Sequence, residues 1–247
     1  MMTTIAAAVL VELFTSEGCS SCPPADAVLA RLHRQQPVPG VQLLVLSEHV
    51  DYWNNLGWKD PYSDALFSDR QGDYSSRIYT PQAVVDGKTE VLGSNESAIV
   101  SAAKAAAQAP HGTLSVTPSP GGARISVAGL PGHSDARVML AVVEDDLVSR
   151  VERGENAGRT LSHTAVARVL REVGRIPATA AQWSAEVPVP TDLSWKQTRV
   201  IAFVQDGATR RVLAAGALQE QRESAPAERH QRAADDEAHG PQKAHAP

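Results

Sequence analysis

The stretch Val9-Leu10-Val11-Glu12-Leu13-Phe14-Thr15-Ser16-Glu17-Gly18-Cys19-Ser20-Ser21-Cys22-Pro23-Pro24 decides how the chain is read. Its apolar opening predicts a strand, Thr15 to Gly18 a turn, and the cysteine pair the start of a helix. Pro23 and Pro24 suit a first helical turn, where φ is preset and a missing N–H costs nothing. Ser20 and Ser21 are candidate N-caps. Val28, Leu29 and Leu32 follow at helical spacing and give the helix a face to bury.

Placement sets the chemistry. A thiolate at a helix N-terminus is stabilised by free backbone N–H groups and the helix dipole. Two intervening residues bring a second thiol within exchange distance. Cys19 is therefore read as the exposed attacking sulfur and Cys22 as the resolving one. An inert disulfide or part of a metal site fits the same two residues. With 2 Cys in the sequence, a four-thiolate zinc site within one chain is excluded.

Composition bounds the rest. The 247 residues suffice for two ordinary domains, and 43% apolar residues supply cores, although aromatics make up only 4%. A net charge of −5 without a basic stripe argues against nucleic-acid binding. No apolar run is long enough to span a bilayer. The first residues have no basic n-region, and removing them would delete the strand that presents the cysteines. The expected location is cytoplasmic as written, or periplasmic or secreted if the start is truncated.

Downstream, Gln35 to Gly40 breaks the first helix, and Val41 to Val50 (VQLLVLSEHV) reads as a central strand buried on both faces. The segment from His49 to Tyr62 holds two of the 4 Trp and two of the 4 Tyr. Tyr52, Trp53 and Trp58 are candidate substrate-binding residues in this loop, or pins onto the core. A helix is predicted over Ser63 to Tyr74, with Ser63 as cap. Pro81 begins a strand that turns at Asp86-Gly87 into Lys88–Leu92, and a helix from Glu96 to about Gln108 closes the half. The order β-α-β-α-β-β-α implies a mixed sheet with helices on both faces.

Strand, CSSC at a helix start, and Thr80-Pro81 entering an antiparallel hairpin together resemble the thioredoxin fold. LFTSEGCSSCPPAD, HVDYWNNLGWKDPYS and YTPQAVVDG further resemble the bacterial family called domain of unknown function 1223, over about residues 6 to 218. The resemblance implies a thioredoxin-like domain at 6–109 and a cis peptide bond at Pro81, beside the cysteines. Thr80, whose backbone such a bond exposes, is then a candidate for pairing with an extended substrate. Many members are described as secreted. The family label implies no activity, so a redox role rests on fold and cysteines.

Beyond a short linker at Ala109–Gly112, short apolar or alternating runs separated by SPGG, LPGHSD and QDGA turns suggest a β-sandwich over 113–218. Ser162 to Val173 fits a strand or a helix, and its β-branched content favours the strand. His163 is read as structural or solvated, because no carboxylate partner is visible to complete a triad. Residues 219–247 have no apolar periodicity and read as a disordered tail.

The leading expectation is a thiol–disulfide oxidoreductase or redox relay acting on protein thiols without a cofactor. Its catalytic set is Cys19, Cys22 and Pro81, with Thr80, Tyr52, Trp53 and Trp58 on the substrate side. Glu17, Glu48 and Asp51 are candidate proton carriers. An alternative is Cu(I) handling by Cys19, Cys22 and His49, soft thiolates with a neighbouring imidazole, with Asp51 as a supporting group. A third reading is a binding module with a structural disulfide.

Overall fold

The computed structural model describes residues 7–75, 77–190 and 197–218. The tail expected to be disordered, 219–247, lies outside the described residues. Two alternating units open the chain: β1 (Ala7–Thr15), α1 (Pro23–Gln35), β2 (Val41–His49) and α2 (Ala65–Tyr74). A hairpin of β3 (Gln82–Val85) and β4 (Thr89–Leu92) follows, then α3 (Glu96–Ala106). The rest is strand: β5 (Thr113–Ser119), β6 (Gly122–Ala128), β7 (Ala136–Glu144), β8 (Leu147–Arg150), β9 (Thr160–His163), β10 (Val166–Ile176), β11 (Trp183–Val187), β12 (Thr198–Asp206) and β13 (Val212–Ala217).

Two caps differ from the sequence reading. Cys22 itself occupies the N-cap of α1 with no side-chain hydrogen bond, so neither Ser20 nor Ser21 caps it. Helix α2 is capped by Asp64, whose carboxylate accepts from the Leu66 N–H at 2.8 Å, because Ser63 is spent on the Asp60 carbonyl.

One mixed sheet of 8 strands, in the order β13-β12-β7-β10-β2-β1-β3-β4, runs through both halves of the chain. β1 pairs with β2 in parallel and with β3 antiparallel. On its other side β2 meets the start of β10, where the Ser47 N–H donates to the Ala165 carbonyl at 2.8 Å. The self-contained sandwich expected over 113–218 is thereby corrected. A small sheet, β11-β6-β5, does pack face to face on strands β7, β12 and β13, but those strands extend the N-terminal sheet. The physical reason is the edge of β2: an apolar strand buried on both faces needs a hydrogen-bonded neighbour on each side.

Strand alternation divides the interior. Val138, Leu140, Val142, Ala202 and Val204 face Val116, Ile125 and Val127 of the small sheet. Their neighbours Met139, Ala141, Ile201 and Phe203 join the core around β1 and β2. In β1, Leu13 lies on the side of α1, while Glu12 meets Arg70 of α2 on the other. Gly93 is required by this close packing, since a Cβ there would lie 2.6 Å from Leu13 Cδ1 and 3.2 Å from Ala25 Cβ. Among the described residues, no helix is long and apolar enough to cross a membrane.

Candidate functional site

Cys19 and Cys22 are joined as a disulfide at the tip of α1. Cys19 is not the exposed residue the sequence suggested: both cysteines are 0% exposed, whereas Ser20 and Ser21 between them face solvent. A segment from far along the chain, 151–159 between β8 and β9, bonds the backbone on both sides of Cys19. Asn156 is buried and donates through Nδ2 to the carbonyls of Glu17 (2.8 Å) and Cys19 (2.9 Å). Glu155 accepts from the Ser20 N–H at 3.0 Å. No local signal in either segment announces a contact across more than 130 residues.

The Thr80–Pro81 peptide bond is cis, and Ser21 Oγ donates to the Thr80 carbonyl at 3.4 Å. Trp53 Nε1 donates to Thr80 Oγ1 at 2.8 Å, so the aromatic loop reaches the same turn. Trp58 donates instead to Glu17 Oε2 at 2.7 Å. Tyr52, partly exposed, donates to Gln71 Oε1 at 3.1 Å. Asp51 accepts from Ser68 Oγ at 2.5 Å, which ties the loop to α2.

Glu48 and His49, adjacent on β2, point to opposite faces of the sheet. Glu48 is therefore corrected as a proton carrier for the cysteines: it lies beneath α2 with Arg70 (3.6 Å) and Glu12. Burial and the Glu12 charge hold its carboxyl well above the ordinary carboxylate range, against the opposing pull of Arg70.

His49 faces the α1 side, where a buried polar cluster sits behind the disulfide. Its Nδ1 bonds Asp60 Oδ2 at 2.7 Å, and its ring meets that of His163 edge-on at 4.9 Å. Burial opposes protonation of His49, yet the Asp60 carboxylate prevails and raises its pKa. Asp60 is lowered in turn: burial acts upward, but His49 and the N–H groups of Glu17 and Tyr62 outweigh it. His163 is buried, and its Nε2 lies 3.0 Å from Glu17 Oε1, which also accepts from Ser149 Oγ. The carboxylate partner that the sequence reading lacked is thus Glu17, 146 residues away.

Asp26 completes the cluster. It accepts from Thr15 Oγ1 at 2.8 Å, and its other oxygen is 3.9 Å from His163 Nδ1. Four residues beyond Cys22, it lies one turn along the same helix face. Burial raises its pKa, with the two imidazoles acting the other way. Asp26 and His163 also line a cleft of about 560 Å³ between α1 and the β8–β9 hairpin. Among the described residues, no group of three or more His, Cys, Asp and Glu is arranged to hold a metal ion. Sequence reasoning missed Asp26, Asp60, Asn156 and the role of His163. Only Asp26 carried a signal, its i+4 spacing from Cys22.

A family model described as "Protein of unknown function (DUF1223)" matches residues 10–205. A crystal structure of a protein from Agrobacterium tumefaciens, a structural-genomics target, is similar in fold with a TM-score of 0.71 and 26% identity. The match covers 88% of this chain and 96% of that one. No curated protein matches the sequence.

Proposed function

The chain belongs to the DUF1223 family, and from that premise we propose that it is a thioredoxin-like protein that exchanges thiols and disulfides with protein partners through Cys19 and Cys22. One observation carries the reading: the disulfide opens α1, and Ser21 Oγ, 3.3 Å from Cys19 Sγ, donates to the Thr80 carbonyl of the Thr80–Pro81 turn. Helix N–H groups stabilise a thiolate there. The Thr80–Pro81 turn, the partly exposed Tyr52 and Trp53 form the substrate side, and no cofactor takes part.

In the reductive half-reaction a partner thiolate attacks Cys19 Sγ, the Cys19–Cys22 bond breaks, and the electron pair leaves on Cys22. A second partner thiolate then attacks the partner's own sulfur in the mixed disulfide and releases Cys19. The partner dithiol ends as a disulfide and the Cys19–Cys22 pair as two thiols. Attack has to come in line with the sulfur–sulfur bond, and with both cysteines buried a local opening around Cys19 must precede it.

A second reading is favoured by the burial of both cysteines: a structural disulfide in a binding module, with the aromatic loop carrying recognition. The Cu(I) reading draws no comparable support: among the described residues no group of three or more His, Cys, Asp and Glu is arranged to hold a metal ion.

Equilibration in glutathione buffers, followed by acid quenching and thiol alkylation, separates exchange from clamp. Exchange predicts a measurable mixed population of oxidised and reduced protein near cellular glutathione poise. A potential below about −300 mV leaves the clamp reading standing.

A further inference from the structure

Along α1 the residues Pro23, Asp26, Ala27, Ala30, Arg31 and Arg34 recur every three or four positions and form one stripe. This stripe is the helical wall of the cleft of about 560 Å³ that faces the β8–β9 hairpin. β9 stands on the other side. It pairs with β8 in a sheet of 2 strands and has no further strand beside it among the described residues. A bulge fixes the phase of that pairing: Gly158, at φ 79°, donates to the Val151 carbonyl at 2.8 Å, and the Val151 N–H donates to the Arg159 carbonyl at 2.9 Å. Val151 therefore directs its backbone groups toward β9, as Ser149 and Leu147 do at alternate positions. The pairs between them, Arg150 with Thr160 and Val148 with Ser162, are those without mutual bonds. Thr160 and Ser162 thus point their N–H and C=O groups away from β8, and both residues line the cleft.

The cleft also differs in charge from the rest of the chain. The protein carries a net charge of −5, yet Arg31, Arg34 and Arg159 line this one cleft against Asp146 at its end. Arg31 is engaged by Glu96 at 2.6 Å. Arg34 is exposed, and Arg159 gives one N–H to Asn156 Oδ1 at 2.8 Å; neither meets a carboxylate among the described residues. Asp26 is turned inward, where it accepts from Thr15 Oγ1 at 2.8 Å. Leu147 and Val148 add apolar surface, and Val148 is 61% exposed although its strand is β-branched and short.

We propose that this cleft is a docking groove for an extended, acidic segment of a partner protein, which adds as a third strand to the free edge of β9 while its carboxylates meet Arg34 and Arg159. Main-chain bonds to Thr160 and Ser162 give the added strand its register, and the arginines select acidic sequence. The dimensions agree. Pro23 to Arg34 spans about 16 Å of helix at about 1.5 Å per residue, the length of about five residues of strand at about 3.3 Å each. A second copy of this chain fits less well, because pairing β9 with its own image sets Arg159 and Arg34 near their duplicates. The groove begins at Pro23, beside Cys22 in the chain. It is available whether the disulfide exchanges or serves as a clamp, so the inference goes beyond the exchange reading and does not depend on it.

Fluorescence anisotropy on the oxidised full-length protein reads the groove without thiol chemistry, with a short fluorescein-labelled peptide of alternating Glu and Val as the probe. Raising the salt from about 50 to about 300 mM should weaken binding by about threefold or more, because exposed charges are screened. Arg34→Glu should weaken it by about tenfold or more. Strand addition has its own signature, which needs no variant of the protein. Methylating one alternate set of the peptide's backbone nitrogens should abolish binding, and methylating the other set should spare it, since only every second N–H faces β9. Equal effects of the two sets overturn strand addition. A peptide of alternating Lys and Val that binds as tightly, or unchanged binding in Arg34→Glu, overturns the groove's preference for acidic segments. Dimerisation in sedimentation without peptide binding assigns the β9 edge to a second copy and overturns the proposal. None of these outcomes bears on exchange through Cys19 and Cys22.

Discussion

Asn156 is the residue that ties segment 151–159 to the backbone around Cys19. Its side chain is fully buried and satisfies two carbonyls that flank Gly18. Truncation takes the Asn156 donor from the Glu17 carbonyl and leaves the Cys19 carbonyl with the Cys22 N–H alone (3.2 Å), a cost of about 1–3 kcal/mol, most of it local to this segment. Asn156→Ala should therefore be reduced faster by dithiothreitol than wild type, by about tenfold or more if this segment is the barrier. Equal rates in the two proteins, with equal thermal midpoints, would place the barrier elsewhere. Burial also explains why this residue is invisible in the sequence, where ENAG reads as an ordinary turn. Cys19, Cys22 and Pro81 stood out because their meaning is local: a spacing of three, a helix start and a proline before a hairpin.

Turns between elements carry their own electrostatics. Asp206, at the end of β12, receives N–H bonds from Ser134 (2.7 Å), Ala208 (3.0 Å) and Thr209 (2.7 Å), and a hydroxyl bond from Thr209. Burial acts to raise its pKa, but these donors prevail and bring it to about 2. The folded value lies below the unfolded value of about 3.9, so the carboxylate's contribution is complete above about pH 4 and fades as the pH falls toward 2. Asp206→Asn should thus melt below wild type at neutral pH, with the gap narrowing through that acid window in thermal melts. A constant gap would mean that the donors recognise the side chain's shape and not its charge. The element boundaries themselves were largely legible. Val28, Leu29 and Leu32 do form the buried face of α1, and the β-branched run after Ser162 is strand in β10. Caps were less legible, because Ser63 and Asp64 differ only in which backbone group each one reaches.

For the molecule as a whole, the decisive contact is the seam between β2 and β10, with β7 and β12 beyond it. Residues from both halves of the chain interleave in one core, so neither half is complete alone. Unfolding in urea should be a single transition, superimposable by tryptophan fluorescence and far-UV circular dichroism. Trp53 and Trp58 report on the first half and Trp183 on β11, so two separated transitions would restore the picture of independent domains. What the sequence determined by itself was everything with a short period: the strand–CSSC–helix unit, the apolar β2, the proline-led hairpin, and a second half made of short strands. Family membership also followed from contiguous motifs. Only the tertiary structure decided that the second half extends the first sheet, that segment 151–159 bonds the backbone around Cys19, and that Glu17 finds His163. Each of these depends on which edges and faces meet across more than a hundred residues. Hydrogen-bonding strand edges look alike in sequence, and their pairing is set by the packing of the entire core.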